Sequence, residues 1–190
     1  MSSIENLPPE FHTLQVTSPF AIQGPYTEAL RLVTEPNGNI DIGAILVAPR
    51  QPAVPIDPVV GGQITFPGIP GAALGLEPNG IQFDEGVPSE LSLTLLPLNH
   101  LPFPQNTFVA VAAAEIAPDR VTFTQPIEVT LPNQAQLLVG STDLLISCLN
   151  KESLQYEILS QSGRVSQDGL TVTGSTSRSA GPCPAVVFFH

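Results

Sequence analysis

The sequence predicts an all-β fold, an antiparallel β-sandwich preceded by a small N-terminal β segment. Most apolar residues alternate with polar or small residues, and a period of two is typical of strands that bury one face. The 190 residues include 21 prolines and 15 glycines, which divide the chain into short segments of strand length. Both residue types are unfavourable in helix interiors, and no long window shows a helical period. The length fits one domain, or one domain with a smaller companion.

The alternating positions locate the strands. They are Leu14/Val16, Leu30/Leu32, Ile40/Ile42, Leu91/Leu93/Leu95, Val109/Val111, Val121/Phe123, Ile127/Val129/Leu131 and Leu170/Val172. The best helical candidate is the segment 150–159, in which Leu154 and Ile158 are four positions apart. A hairpin explains that spacing equally well.

Residues 1–48 predict an N-terminal β segment that consists of an arm and a hairpin. Residues 30–34 and 40–48 alternate on either side of a turn in which Asn37-Gly38 supplies the positive φ angles of a tight hairpin. The arm, residues 1–26, contains a candidate strand with no obvious partner in this segment.

Residues 49–62 predict a polyproline spacer. A proline at every third position, from Pro49 to Pro58, matches the three-residue turn of polyproline II. Such a segment is a semi-rigid connection, either free or packed along a sheet edge. The alternative is a docking ligand for an aromatic-lined groove, and only Arg50 would provide a basic anchor for it.

Residues 63–190 predict the β-sandwich domain, because short strands and Gly/Pro turns succeed each other at regular intervals. Residues 76–83 and 116–123 share the pattern apolar-x-Pro-x-x-apolar-x-Phe. Each segment predicts a strand end, a tight turn and a new strand, with Phe83 and Phe123 pointing inward. The repetition indicates two similar corners of one sandwich.

The second of these corners carries a family resemblance. Residues 116–133, with Pro118 and Phe123 at the corner and Leu131-Pro132-Asn133 at the strand end, resemble the β-sandwich domains first named in zona-occludens proteins and netrin receptors. They are more similar still to related modules of large bacterial surface and repeat proteins. The resemblance extends over residues 63–190. It implies an Ig-like sandwich and a non-enzymatic spacer, adhesion or interaction module.

The charge balance excludes several classes of partner. Six Lys and Arg against 17 Asp and Glu give a formal net charge of −11, which disfavours nucleic acid and anionic membrane surfaces. The start of the chain has no basic n-region followed by a long apolar stretch, so it predicts no signal peptide. No apolar run is long enough to predict membrane insertion. The chain closes on an apolar strand, residues 184–190, without a tail, which we expect of a piece of a longer protein.

The two cysteines, Cys148 and Cys183, leave the redox compartment open. They form either a disulfide or two buried thiols that behave as small apolar side chains.

Other chemistry-bearing residues do not form a recognisable motif. His12, His100 and His190 lie in separate segments without metal-ligand spacing. Acidic turns at residues 84–86, at Asp119 and at residues 168–169 fit either bridging calcium or ordinary turn chemistry. The latter is favoured because no alternating Asp/Asn ladder accompanies them. We therefore expect no catalytic residue, no metal site and no cofactor.

These observations favour a structural or interaction module of an extracellular surface protein, whose partners are proteins: neighbouring domains or identical subunits. An alternative is a self-assembling filament or coat subunit whose N-terminal arm adds as a strand to a neighbour. A hydrolase has no motivating group of residues.

Overall fold

A computed structural model of the protein describes residues 11–17, 27–33, 51–98, 101, 108–118, 121–150, 155–177, 179–183 and 185–190. These residues contain no α-helix, and all their strand pairings are antiparallel. The predicted all-β, antiparallel class is therefore confirmed.

The described strands are numbered in chain order. They are β1 (Phe11–Thr17), β2 (Thr27–Val33), β3 (Val54–Pro55), β4 (Gly62–Thr65), β5 (Ala73–Leu76), β6 (Ile81–Phe83), β7 (Glu90–Leu95), β8 (Ala110–Ala117), β9 (Val121–Phe123), β10 (Ile127–Pro132), β11 (Leu144–Asn150), β12 (Gln155–Val165), β13 (Thr171–Ser175), β14 (Gly181–Pro182) and β15 (Ala185–Phe189).

Ten of these strands form one sheet in the order β3-β7-β8-β15-β11-β12-β13-β10-β5-β4. The sheet curls into a nearly closed barrel. Strands β14, β9 and β6 form a second sheet, and β1 and β2 pair with each other. The sequence predicts two separate sheets packed face to face, whereas here one sheet continues from one side of the core to the other.

The continuity of the sheet depends on β12, which is long enough to pair with strands on both sides of the barrel. Its first part pairs with β11, and its last residues, Arg164 and Val165, pair with β13. Between them the register with β11 shifts, because Leu144 lies opposite Gly163 while Ile146 lies opposite Ser160. Irregularities of this type bend a strand and increase its local twist, so β12 can pass from one side of the barrel to the other.

Two glycines allow the backbones to come close at this bend. A Cβ on Gly174 would lie 2.6 Å from Ile146 Cδ1 and 2.9 Å from Gly163 Cα. A Cβ on Gly163 would lie 2.9 Å from the Leu144 carbonyl oxygen. No side chain fits at either position without moving the neighbouring backbone, and glycine is the residue that permits such an approach.

The main core fills the barrel between its two sides. Its largest fully buried members include Leu91, Leu93 and Ile116 from one side, Leu131 from the other, and Phe188 from β15. A second apolar cluster lies on the opposite face of β8 and β15. These two strands are therefore buried on both faces, and every residue of each is buried. The period of two in the sequence does not reveal this, because alanines lie on both faces of β8.

Residues 51–62, which the sequence predicts as a spacer, lie against the barrel. Val54 and Pro55 pair with β7, and Val54 and Ile56 pack on the main core. Pro55 is at the edge of the sheet, where a residue without an N–H group costs no ladder hydrogen bond. The same stretch leads into β4 at Gly62, so both edge strands of the ten-stranded sheet come from residues 54–65.

The two similar corners predicted from the sequence contact each other. Along the chain β6 follows β5 and β9 follows β8, and β6 pairs with β9 so that Ile81 lies opposite Phe123 and Phe83 opposite Val121. Phe123 is fully buried, which confirms its inward orientation, and Phe83 is half-buried against the main core.

Several local predictions from the sequence differ from the structure or concern residues outside the described ranges. β1 pairs with β2 along its whole length, so the strand in the N-terminal arm does have a partner within the chain. Most of the predicted hairpin after residue 33 lies outside the described residues. The helical candidate at 150–159 is the end of β11 and the start of β12 where it is described. Val109 and Leu170 are exposed just outside the strands that they were expected to begin.

A disulfide joins Cys148 of β11 to Cys183, directly after β14. Both residues are buried and their Cα atoms are 5.6 Å apart. The bond connects the three-stranded sheet to the ten-stranded sheet across a sequence separation of 35. For a loop of this size the chain-entropy account gives a stabilisation of about 4 kcal/mol.

We expect Gly174→Ala to lower the free energy of unfolding by about 2 kcal/mol, because the added methyl group overpacks the bend of β12. Urea unfolding monitored by circular dichroism measures this change. The matched control is Gly68→Ala, where an added Cβ meets only the flexible end of the Gln51 side chain. A Gly174→Ala variant as stable as this control would contradict the role assigned to the close approach.

Candidate functional site

The residues singled out from the sequence do not converge on one site. Cys148 and Cys183 are consumed by the disulfide. His190 is exposed and its backbone pairs with that of Val109, whereas His100 lies outside the described residues. In the part of the chain that the structure describes, no group of three or more His, Cys, Asp or Glu side chains could hold a metal ion.

The carboxylate of Asp168 accepts hydrogen bonds within its own turn. The Ser166 hydroxyl and the Leu170 N–H both donate hydrogen bonds to Asp168 Oδ1. The hydrogen bond from Ser166 and then that from Leu170 lower the pKa of Asp168, because both favour the ionised form. Asp168 thus stabilises its own turn, which is the ordinary turn chemistry that the sequence favours for this position.

The barrel presents an exposed apolar patch on two neighbouring loops. We call it the loop tip and define it as Leu138, Val139 and Leu170, which are 83%, 57% and 69% exposed. Residues 133–143 provide the first two side chains and the turn between β12 and β13 provides the third. The Val139 side chain lies against Gly169, so the two loops are in contact. Single exposed apolar residues are common, but three on adjacent loops suggest a contact surface.

Asn133 holds the two loops together. Its side-chain amide donates to the carbonyl oxygens of Leu137 and Gly169, both at 2.9 Å, and its Oδ1 accepts from the Leu137 N–H at 3.0 Å. The Asn133 N–H also donates to the Leu170 carbonyl. Asn133 is buried, so these bonds are shielded from water. These hydrogen bonds therefore hold the two loops of the loop tip in a fixed relative position.

Gln134 connects the loop after β10 to the other side of the barrel. Its side-chain amide donates to the Leu96 carbonyl at 3.0 Å, and its Oε1 accepts from the Ala113 N–H at 2.8 Å. The neighbouring Ala135 N–H donates to the Val111 carbonyl. These bonds connect the loop after β10 to β7 and β8 across the end of the barrel.

A groove follows the open edge of β6. It has a volume of about 390 Å³ and is lined by Pro58, Val59, Asn79, Ile81, Gln82, Phe83, Ser89 and Thr124. Among the described strands, β6 is the outer strand of its sheet and β9 is its one partner. Half of the lining is apolar, and the other half offers amide and hydroxyl groups. A strand edge beside a groove is a surface that can accept an extended chain.

The second apolar cluster contains a buried phenol. The ring of Tyr156 meets that of Phe189 edge to face, with centroids 4.9 Å apart. Burial raises the pKa of Tyr156 well above its usual range, so the phenol stays neutral. The side chain acts here as a packing element on β12.

No protein-family model matches the chain, and no curated protein matches it at a significant level. None of the described residues forms a helix with the length and apolar character required to cross a membrane. An assignment of function must therefore come from the surfaces of the chain itself.

Sequence reasoning missed both the loop tip and the groove. Leu138 and Val139 lie between strands in an irregular loop, where period-based patterns carry no information. In the sequence, Asn133 is conspicuous only as the last residue of the strand-ending motif Leu131-Pro132-Asn133. Its role could have been suspected because an asparagine after a strand often bonds to nearby backbone groups.

We expect Asn133→Ala to lower the free energy of unfolding by about 2 kcal/mol, because the backbone groups of Leu137 and Gly169 lose buried partners. Amide exchange of residues 137–140 and 168–170 should accelerate at the same time. Gln167→Ala, at an exposed position in the same turn, is the matched control. The Leu137 N–H donates to Asn133 Oδ1, so unchanged exchange at residue 137 in Asn133→Ala would show that Asn133 does not clamp the loops.

Proposed function

We propose that the protein is a non-enzymatic interaction module, a spacer or adhesion unit, of an extracellular surface protein. The observation that carries this proposal is the loop tip. Three large apolar side chains are held in water by a buried asparagine clamp, although nothing in turn formation requires them to be apolar. Burying such side chains against another protein would remove apolar surface from water, at roughly 25 cal/mol per Å².

The disulfide supports the extracellular part of the proposal. Disulfides persist in oxidising compartments and are rare in the cytosol, where thiols are kept reduced. Cys148 and Cys183 are both buried, so their bond is a structural one. The proposed partner of the loop tip is thus a neighbouring domain or protein outside the cell.

The Ig-like sandwich type belongs to the same proposal. Residues 63–190 resemble modules of bacterial surface and repeat proteins at the corner 116–123 and at Leu131-Pro132-Asn133. The pairing of β6 with β9 and the clamp by Asn133 give these motifs structural roles of their own. A bent β12 that joins two sandwich halves would reconcile that module type with the continuous sheet.

Photo-cross-linking from the loop tip tests the proposal. A benzophenone-bearing residue in place of Leu138 should form an adduct with a protein of the secreted or surface fraction of the producing cells. The same residue in place of Gln161, exposed on β12, is the control and should give no such adduct. Adducts of equal yield from both positions, or adducts with intracellular proteins only, would contradict the proposal.

Light scattering at two protein concentrations separates the module from a self-assembling subunit. We expect a monomer at both concentrations. Self-assembly was argued from an N-terminal strand without a partner, and β1 is already paired with β2. A mass that rises with concentration would instead favour the filament or coat subunit.

A further inference from the structure

The groove along β6 has the geometry of a strand-addition site. The Thr124 N–H donates to the Gly80 carbonyl at 2.9 Å, and Gln82 lies opposite Thr122 in the same ladder. In an antiparallel pair the residues that exchange hydrogen bonds alternate with those that do not. Gly80 and Gln82 therefore direct their backbone groups to β9, while Ile81 and Phe83 direct theirs to the open edge.

The side chains of the groove suit an extended chain that binds through its backbone. Ile81 is buried and Phe83 half-buried, so both contribute their rings or methyl groups to the floor rather than blocking the edge. Pro58 and Val59 form part of the lining, and Val59 is 64% exposed. Alternate side chains of an added strand would point toward this apolar lining and away from it.

The charges around the groove select the occupant. Asp57, Asp84 and Glu90 each lie one position from a lining residue, and all three are exposed. Among the side chains that the structure describes, Arg164 on β12 is the one Lys or Arg. The whole chain carries a net charge of −11, so a second copy would be repelled by the same carboxylates.

We infer that the β6 groove binds an extended, Lys/Arg-flanked segment of a different protein by strand addition. Backbone hydrogen bonds to Ile81 and Phe83 supply the pairing, the apolar lining receives alternate side chains, and the rim carboxylates attract the flanking cations. This surface is separate from the loop tip, so the inference goes beyond the proposed function.

Selection of peptides from a random dodecapeptide display library on the immobilised full-length protein tests the inference. We expect enriched peptides with Lys or Arg on both sides of a proline-free, β-branched core. Enrichment of acidic or uncharged peptides, or no enrichment, would overturn it. Binding of a synthetic copy of the enriched peptide should weaken as salt is raised, because the rim charges are exposed.

Two charge variants locate the site. Asp84→Asn combined with Glu90→Gln should weaken binding of the synthetic peptide about tenfold. Glu128→Gln combined with Asp143→Asn removes the same charge from exposed positions away from the rim and should leave the affinity unchanged. Asp57 is kept, because its Oδ1 accepts from the Val59 N–H and stabilises a turn. Equal weakening by both pairs would overturn the assignment to this groove.

Backbone methylation of the peptide tests the strand addition itself. Only every second residue of an added strand bonds to the edge, so N-methylation of one alternate set should abolish binding and that of the other set should not. The amide signals of Ile81 and Phe83 should shift when the unmodified peptide binds. Equal effects of both sets, or shifts confined to other strands, would overturn the inference. Neither outcome bears on the loop tip, whose cross-linking result stands separately.

Discussion

The close approach of β12 and β13 at Gly163 and Gly174 is the constraint on which the rest of the structure depends. A Cβ at either glycine would collide with backbone atoms, so the two strands meet here only because neither residue has a side chain. Without this bend the ten-stranded sheet could not bring β7, β8 and β15 over β5, β10 and β13. The main core, which includes residues of both sides, exists because the sheet returns upon itself.

Curling the sheet in this way leaves few open edges among the described strands, and the candidate binding surfaces can be related to those edges. Residues 54–65 supply both edges of the large sheet, and Pro55 lacks the N–H that a foreign strand would need at one of them. In the described part of the chain no strand pairs with the other side of β6, which follows β5 but pairs with β9. The groove beside it combines open backbone groups with an acidic rim, and the loop tip lies on different loops. The chain thus offers two candidate surfaces: the apolar loop tip, and a groove that is half apolar and has exposed carboxylates next to its lining residues in the sequence.

Much of the fold could be predicted from the sequence, while the candidate surfaces could not. The alternation in Ile127/Val129/Leu131 predicts β10 correctly, the corner at 76–83 predicts a turn and β6, and the pattern at 116–123 predicts β9, because period and turn chemistry are local properties. Clamping by Asn133 and the open edge of β6 depend on residues far apart in sequence. Asn133 reaches Gly169 across 36 positions, and no local pattern specifies that contact.

By itself, the sequence determined the alternating pattern typical of strands, the acidic charge and the pair of cysteines available for bonding. These follow from composition and from periods that act over a few residues. Tertiary structure decided that ten strands form one curled sheet, that residues 54–65 supply both of its edges, and that Cys148 meets Cys183. It also decided which apolar residues remain in water. The reason is physical. Burial and strand pairing depend on contacts between segments that are far apart in sequence, and the close packing at Gly163 allows such contacts.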